Sequence, residues 1–179
     1  MGQDYNVVFD INVYIDIANK SHNTLPCFKE ILKNRDWCLI TSKFIRKKAF
    51  EVLASKELFS EKDLDNFTRL LDILENRSQL KKIEVPLFGS EANTIGDLGL
   101  EDSHIFNLAR KSGASIIVTS DSDFERVRNF DRSIAIVSPA RFIKLTSPKK
   151  PPTKPSLGLQ FGMNPLDFQP GQGGLGRQI

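Results

Sequence analysis

Short apolar runs alternate along this chain with longer stretches in which apolar residues recur at every third or fourth position. Tyr5-Asn6-Val7-Val8-Phe9 reads as a first strand, followed by a helical pattern from Ile11 to about Lys20. Asn23-Thr24 can cap a second helix running to about Asn34, with Pro26 tolerated in its first turn. Trp37 to Thr41 is a second buried strand. Ser42 then offers an N-cap to a helix carrying Phe44, Ile45, Ala49, Val52 and Leu53 at helical spacing. Ser60-Glu61-Lys62-Asp63 has the form of a capping box, and the helix it opens places Leu64, Phe67, Leu70, Leu71 and Leu74 on one stripe. Lys82 to Val85 predicts a third strand ended by Pro86, and Glu101 to Ser112 a helix stopped by Gly113. Ser115 to Thr119 and Ser133 to Val137 complete five strands, and Ser138-Pro139 opens a last short helix through Phe142. The fourth strand is apolar without alternation, as strands covered on both faces are. This order predicts a three-layer α/β/α sandwich around a mostly parallel five-stranded sheet.

Composition alters this picture at one end. Residues 1–145 carry the pattern of a folded domain, while 146–179 hold repeated prolines and a Gly-rich close. That predicts an irregular or disordered tail. Its Leu157, Leu159, Phe161, Met163, Leu166 and Phe168 give it enough apolar character to serve as a docking segment. The net charge of +3 also sits there, since the tail has four bases (Lys149, Lys150, Lys154, Arg177) and one acid, Asp167. A balanced domain makes net charge a weak argument for nucleic acid. Arg46-Lys47-Lys48 is a candidate local basic face. Cys27 and Cys38 form no CxxC pair, the N-terminus is polar, and no apolar run approaches the ~20 residues of a membrane span. A reduced cytoplasmic protein, not a membrane one, is expected.

The acidic residues carry the chemistry. Asp10 follows the first strand, with Asn12 just beyond; Glu101-Asp102 begins the helix before the fourth strand; Asp121 and Asp123 follow that strand. In a parallel α/β sheet, ligands bind outside the carboxyl ends of the strands. Carboxylates gathered there would raise one another's pKa values unless a cation compensated them. An all-oxygen donor set suits Mg²⁺ or Mn²⁺, whereas zinc would want His or Cys. His22 and His104 lack ligand spacing and read as surface or packing imidazoles. A carboxylate-held metal suits in-line attack on a phosphodiester.

The chain resembles the PIN-domain family, above all the branch that supplies ribonuclease toxins of toxin–antitoxin pairs. Val8-Phe9-Asp10-Ile11-Asn12-Val13, Thr41-Ser42-Lys43-Phe44-Ile45, Glu101-Asp102-Ser103-His104-Ile105, Ile117 to Phe124, and Val137 to Phe142 carry the resemblance. It implies an endoribonuclease using Mg²⁺ or Mn²⁺, leaving a 5′-phosphate and a 3′-hydroxyl, with an antitoxin partner and a homodimer. Asp10, Asp102, Asp121 and Asp123 would then be the catalytic metal ligands. Asn12, Ser42, Glu51, Glu101, Thr119 and Ser120 would support them, and Arg46, Lys47, Lys48, Arg110 and Arg126 would meet the RNA backbone. The chain departs from the family pattern at Lys48, where an acidic residue is usual. Glu51, nearly a turn away, could take that place.

The departure leaves open a non-catalytic PIN module that binds RNA or protein. Asp10-Ile11-Asn12 also stands where a haloacid-dehalogenase-type phosphatase carries Asp-x-Asp, although Asn12 removes its second acid. A response-regulator receiver likewise places an Asp at a strand end.

Overall fold

The structure is a computed structural model that describes residues 5–19, 24–55, 59–86, 95 and 98–146. His22 and residues 147–179, which include all of the expected tail except Thr146, lie outside them.

The strands are β1 (Tyr5–Phe9), β2 (Trp37–Thr41), β3 (Leu80–Lys82), β4 (Ile116–Val118) and β5 (Ala135–Val137). They form one sheet in the order β3-β2-β1-β4-β5. Every pairing is parallel, so the expected mostly parallel sheet is parallel throughout. All five residues of β2 and all three of β4 are buried. Their unbroken apolar character follows from helices covering both faces. The helices are α1 (Ile11–Ala18), α2 (Leu25–Lys33), α3 (Lys43–Ser55), α4 (Glu61–Asn76), α5 (Leu100–Ser112) and α6 (Pro139–Thr146). Helices α1, α3 and α4 pack on one another, α2 packs on α6, and α5 lies against β1, β2 and β4. Crossovers between parallel strands are right-handed as a rule, which assigns the helices linking β1 to β2 and β2 to β3 to one face and α5 to the other.

Local chemistry explains the element ends. The capping box of α4 is formed as expected: Ser60 Oγ accepts the Asp63 N–H, and the Asp63 carboxylate accepts the Ser60 N–H. Gly113 ends α5 at φ +64°, a left-handed conformation that only glycine adopts cheaply. Phe67, Leu71 and Leu74 of the predicted α4 stripe are buried. Each such side chain contributes about 1.5–3 kcal/mol through the area it removes from water.

Strands β4 and β5 are shorter than predicted, and two further boundaries differ from the pattern. The third strand lies at Leu80–Lys82, upstream of the predicted Lys82–Val85. Its partner β2 ends at Thr41, which pairs with Lys82, and one further bond, Ile83 N–H to Thr41 O at 2.9 Å, closes the ladder. The alternation of Ile83 and Val85 reflects half-burial of a segment with nothing left to pair with. Helix α6 runs past Phe142 to Thr146, whose hydroxyl donates to Phe142 O at 3.1 Å. No residue before Pro148 opposes helix, so the final turn takes in the first residue of the expected tail.

The topology positions the site. From β1 the chain moves outward through β2 to β3, then crosses back by α5 to β4 on the other side of β1. The carboxyl ends of β1 and β4 therefore flank the point where the direction of winding reverses, the usual crevice of an open α/β sheet.

Candidate active site

Asp10 is the first residue beyond β1, and its N–H still bonds to Val118 O at 3.0 Å, which holds it at the sheet rim. It occupies the N-cap position of α1, yet its side chain makes no cap bond. Instead its Oδ2 accepts the Thr119 hydroxyl at 2.6 Å. Thr119 Oγ1 in turn accepts the Asp121 N–H at 2.9 Å, and Asp121 Oδ1 accepts the Asp123 N–H at 2.8 Å. A single directed chain of hydrogen bonds thus links the ends of β1 and β4. The buried Thr119 hydroxyl, already accepting from a backbone N–H, has its proton left for Asp10. Asp123 begins the 3₁₀ segment Ser122–Val127 at its second position, is exposed, and pairs with Arg126 at 3.5 Å.

Asp102 stands in the first turn of α5. Ser103 beside it anchors the incoming chain, accepting the Ile95 N–H at 3.0 Å and donating to Leu98 O at 3.3 Å. Burial first, and then the charges of Asp10, Asp121, Asp123 and Glu101, push the Asp102 carboxyl up to about 6. Burial also raises Asp10, against the Thr119 hydroxyl and nearby N–H groups, with Asp121 adding to the rise. The aspartates from β1, α5 and the segment after β4 therefore share one field. Among the described residues, however, no group of three or more His, Cys, Asp or Glu side chains converges closely enough to hold a metal ion. The donor set fits a hard divalent cation by its all-oxygen chemistry and its mutual repulsion, while the side chains stand apart.

The other expected residues fall in different places. Asn12 is exposed in the first turn of α1, and Ser120 is exposed beside Asp121. Ser120 and Asp121 line a hollow of about 250 Å³ with Thr119, Ser122, Glu125 and Ser138. Ser42 is fully buried and caps α3, accepting the Ile45 N–H at 3.2 Å. Its Oγ also meets His104 Nε2 at 2.8 Å, and the His104 ring lies 4.7 Å from that of Phe44. Burial lowers the His104 pKa, so the ring is a neutral packing group as its sequence context suggested.

Lys48 Nζ pairs with Glu101 Oε1 at 2.7 Å, tying α3 to the first turn of α5. The bond and charge of Glu101 raise the Lys48 pKa. Glu51 pairs with Lys47 at 3.6 Å. Arg46 and Lys47 line a groove of about 560 Å³ with Lys43, Phe50 and Lys82, beside the carboxyl ends of β2 and β3. Arg110 lies near the other end of α5, paired with Asp131 at 3.6 Å ahead of β5. The fold places it by the amino ends of β4 and β5, at the other end of the strands from the aspartates.

No pattern in the chain pointed to the Ser42–His104 bond or the Lys48–Glu101 pair. Both join residues far apart in the chain, and only the crossover through α5 brings them together.

No protein-family model matches the chain, and no curated protein matches it. Among solved structures, it is similar to the crystal structure of VapBC2 from Rickettsia felis bound to a DNA fragment from their promoter. Identity is 15%, the match covers 74% of this chain and 98% of that one, and the TM-score is 0.47. A likeness at that level says nothing about chemistry.

Proposed function

We propose that this chain is a metal-dependent endoribonuclease hydrolysing RNA phosphodiester bonds. The observation that carries the reading is the set of aspartates at the winding reversal, where burial and then the neighbouring carboxylates push Asp102 up to about 6. Natural sequences tolerate such mutual repulsion where function requires it. Asp10, Asp102, Asp121 and Asp123 would hold Mg²⁺ or Mn²⁺, which when bound would supply positive charge to a phosphodiester and acidify a water. The chain's own part is orientation. Thr119 fixes the Asp10 carboxylate, the Asp123 N–H fixes Asp121 Oδ1, and Asp102 would hold the ion or orient the attacking water.

The finer assignment rests on the motif resemblance in the sequence: a PIN-type toxin of the cytoplasm, blocked by an antitoxin and assembled as a homodimer. Free, buried Cys27 and Cys38 agree with a reducing compartment. Among the described residues, no helix is long and apolar enough to cross a membrane. For a dimer contact, α4 offers its exposed Ile73. The test is cleavage of a mixed structured RNA with Mg²⁺, with Mn²⁺ and with chelator. We expect metal-dependent cutting that Asp10→Asn and Asp121→Asn abolish; cutting at wild-type rate by either variant would sink the reading.

A second reading, a non-catalytic module that binds RNA or protein, is favoured by the Lys48–Glu101 pair and by the lack, among the described residues, of a closed ligand set. An inactive wild type made active by Lys48→Glu would establish it.

A further inference from the structure

Beside the edge strand β5 lies a trough of about 390 Å³ walled by Arg128, Arg132 and Arg141, with Asn129, Ile136 and Val137 also lining it. Among the described residues that line it there is no acid. Arg132 and Arg141 are exposed, and among the described residues neither has an ion-pair partner. Several cations elsewhere on the surface are neutralised, as Lys33 is by Glu30, Lys47 by Glu51 and Lys82 by Glu75. Arg128 pairs with Glu125.

The position of the trough narrows the choice of anion. Arg128, Ile136 and Val137 also line the hollow that contains Asp121, so the two spaces adjoin. An extended anion lying along β5 leads directly to the carboxylate rim. An acidic peptide taking that path would run into Glu125 and Asp121 and meet like charge. A nucleic-acid strand meets the same carboxylates, but on the nuclease reading the cation held there would receive its phosphodiester. Guanidinium groups suit its backbone because their fork of N–H donors matches phosphate oxygens.

We propose that Arg132 and Arg141, together with Arg128, bind the phosphodiester backbone of single-stranded RNA and lead the strand to Asp121. This rests on the nuclease reading above and adds residues that their sequence context did not single out.

The test separates binding from cleavage. The full-length chain carrying Asp121→Asn is titrated with a labelled single-stranded RNA oligonucleotide of mixed sequence over a range of salt. Arg132→Gln/Arg141→Gln is added to that background, beside Lys62→Gln/Arg69→Gln, which removes the same charge from the exposed face of α4. We expect the arginine pair to weaken binding about tenfold or more near ~0.1 M salt. It should also flatten the slope of log affinity against log salt by about 1.4, roughly 0.7 for each lost phosphate contact. The α4 pair should change neither. Equal effects from the two pairs, or no binding of RNA by the parent, would overturn the proposal. So would unchanged RNA binding with loss of binding to a poly-glutamate peptide. Cleavage by the wild type with RNA binding unaltered in the arginine variant would sink the trough alone. Arginine-dependent binding with no cleavage by the wild type would sink the nuclease and leave the trough standing.

Discussion

Thr119 ties Asp10 to Asp121 through a single hydroxyl, so its side chain separates shape from chemistry. Thr119→Val keeps the volume but leaves the Asp121 N–H and the Asp10 carboxylate without that partner. It should cost about 1–3 kcal/mol in thermal or denaturant unfolding and lower RNA cleavage by about tenfold or more, on the scale of lost support to a metal-binding side chain. Thr119→Ser retains the hydroxyl and should keep most of both; equal losses in the two variants would show that the methyl, not the hydroxyl, matters. Asp102 makes a pH prediction. Its carboxyl sits at about 6 in the fold against an ordinary 3.8, so between those values the folded chain holds the proton more tightly than the unfolded one. Its contribution to stability is full below 3.8 and is lost as pH rises through about 6. In chelator, Asp102→Asn should therefore melt above the wild type at pH 7, with the gap closing in acid. A gap independent of pH would contradict the origin given for the shift. The positions of Asp10, Asp121 and Asp123 just past β1 and β4 were legible because strand ends follow from the apolar pattern alone. The role of Thr119 was only suggested, since a hydroxyl's partner depends on how neighbouring strands align.

At the scale of elements, Ser42 shows what periodicity reveals and what it conceals. Its place between a buried strand and an apolar helical stripe identified it as the cap of α3. Its second bond, to His104 62 positions away, needs the path of α5 to be known. Ser42→Ala should cost about 1–2 kcal/mol, as loss of a cap does. The loss should approach the upper end, because His104 Nε2 is also left without its partner; a loss below ~0.5 kcal/mol would argue against a structural bond. Strand β3 was misplaced for a related reason. Alternation at Ile83 and Val85 records burial, while the extent of a strand is set by its neighbour, and β2 ends at Thr41. Gly113 was readable without any partner because positive φ is a purely local demand.

At the scale of the whole molecule, alternating strand and helix signals identified the layered α/β class, and the winding order put the acidic rim at the reversal beside β1. The same order explains why Arg110, attractive in sequence, lies at the amino ends of the strands, and why Arg128, Arg132 and Arg141 gather beside β5. These arginines come from the turn after a 3₁₀ segment, a loop and a helix, so they share no periodicity that a sequence pattern could display. The central claim is that the coupled aspartates serve a divalent cation acting on RNA. The most direct measurement is cleavage of a mixed structured RNA by the full chain as Mg²⁺ or Mn²⁺ is titrated, beside Asp121→Asn. The account predicts cutting that rises with either cation, vanishes in chelator and falls at least about a hundredfold in the variant, the scale of a lost electrostatic contributor to catalysis. Cutting that ignores the cation, or that Asp121→Asn leaves intact, would contradict it.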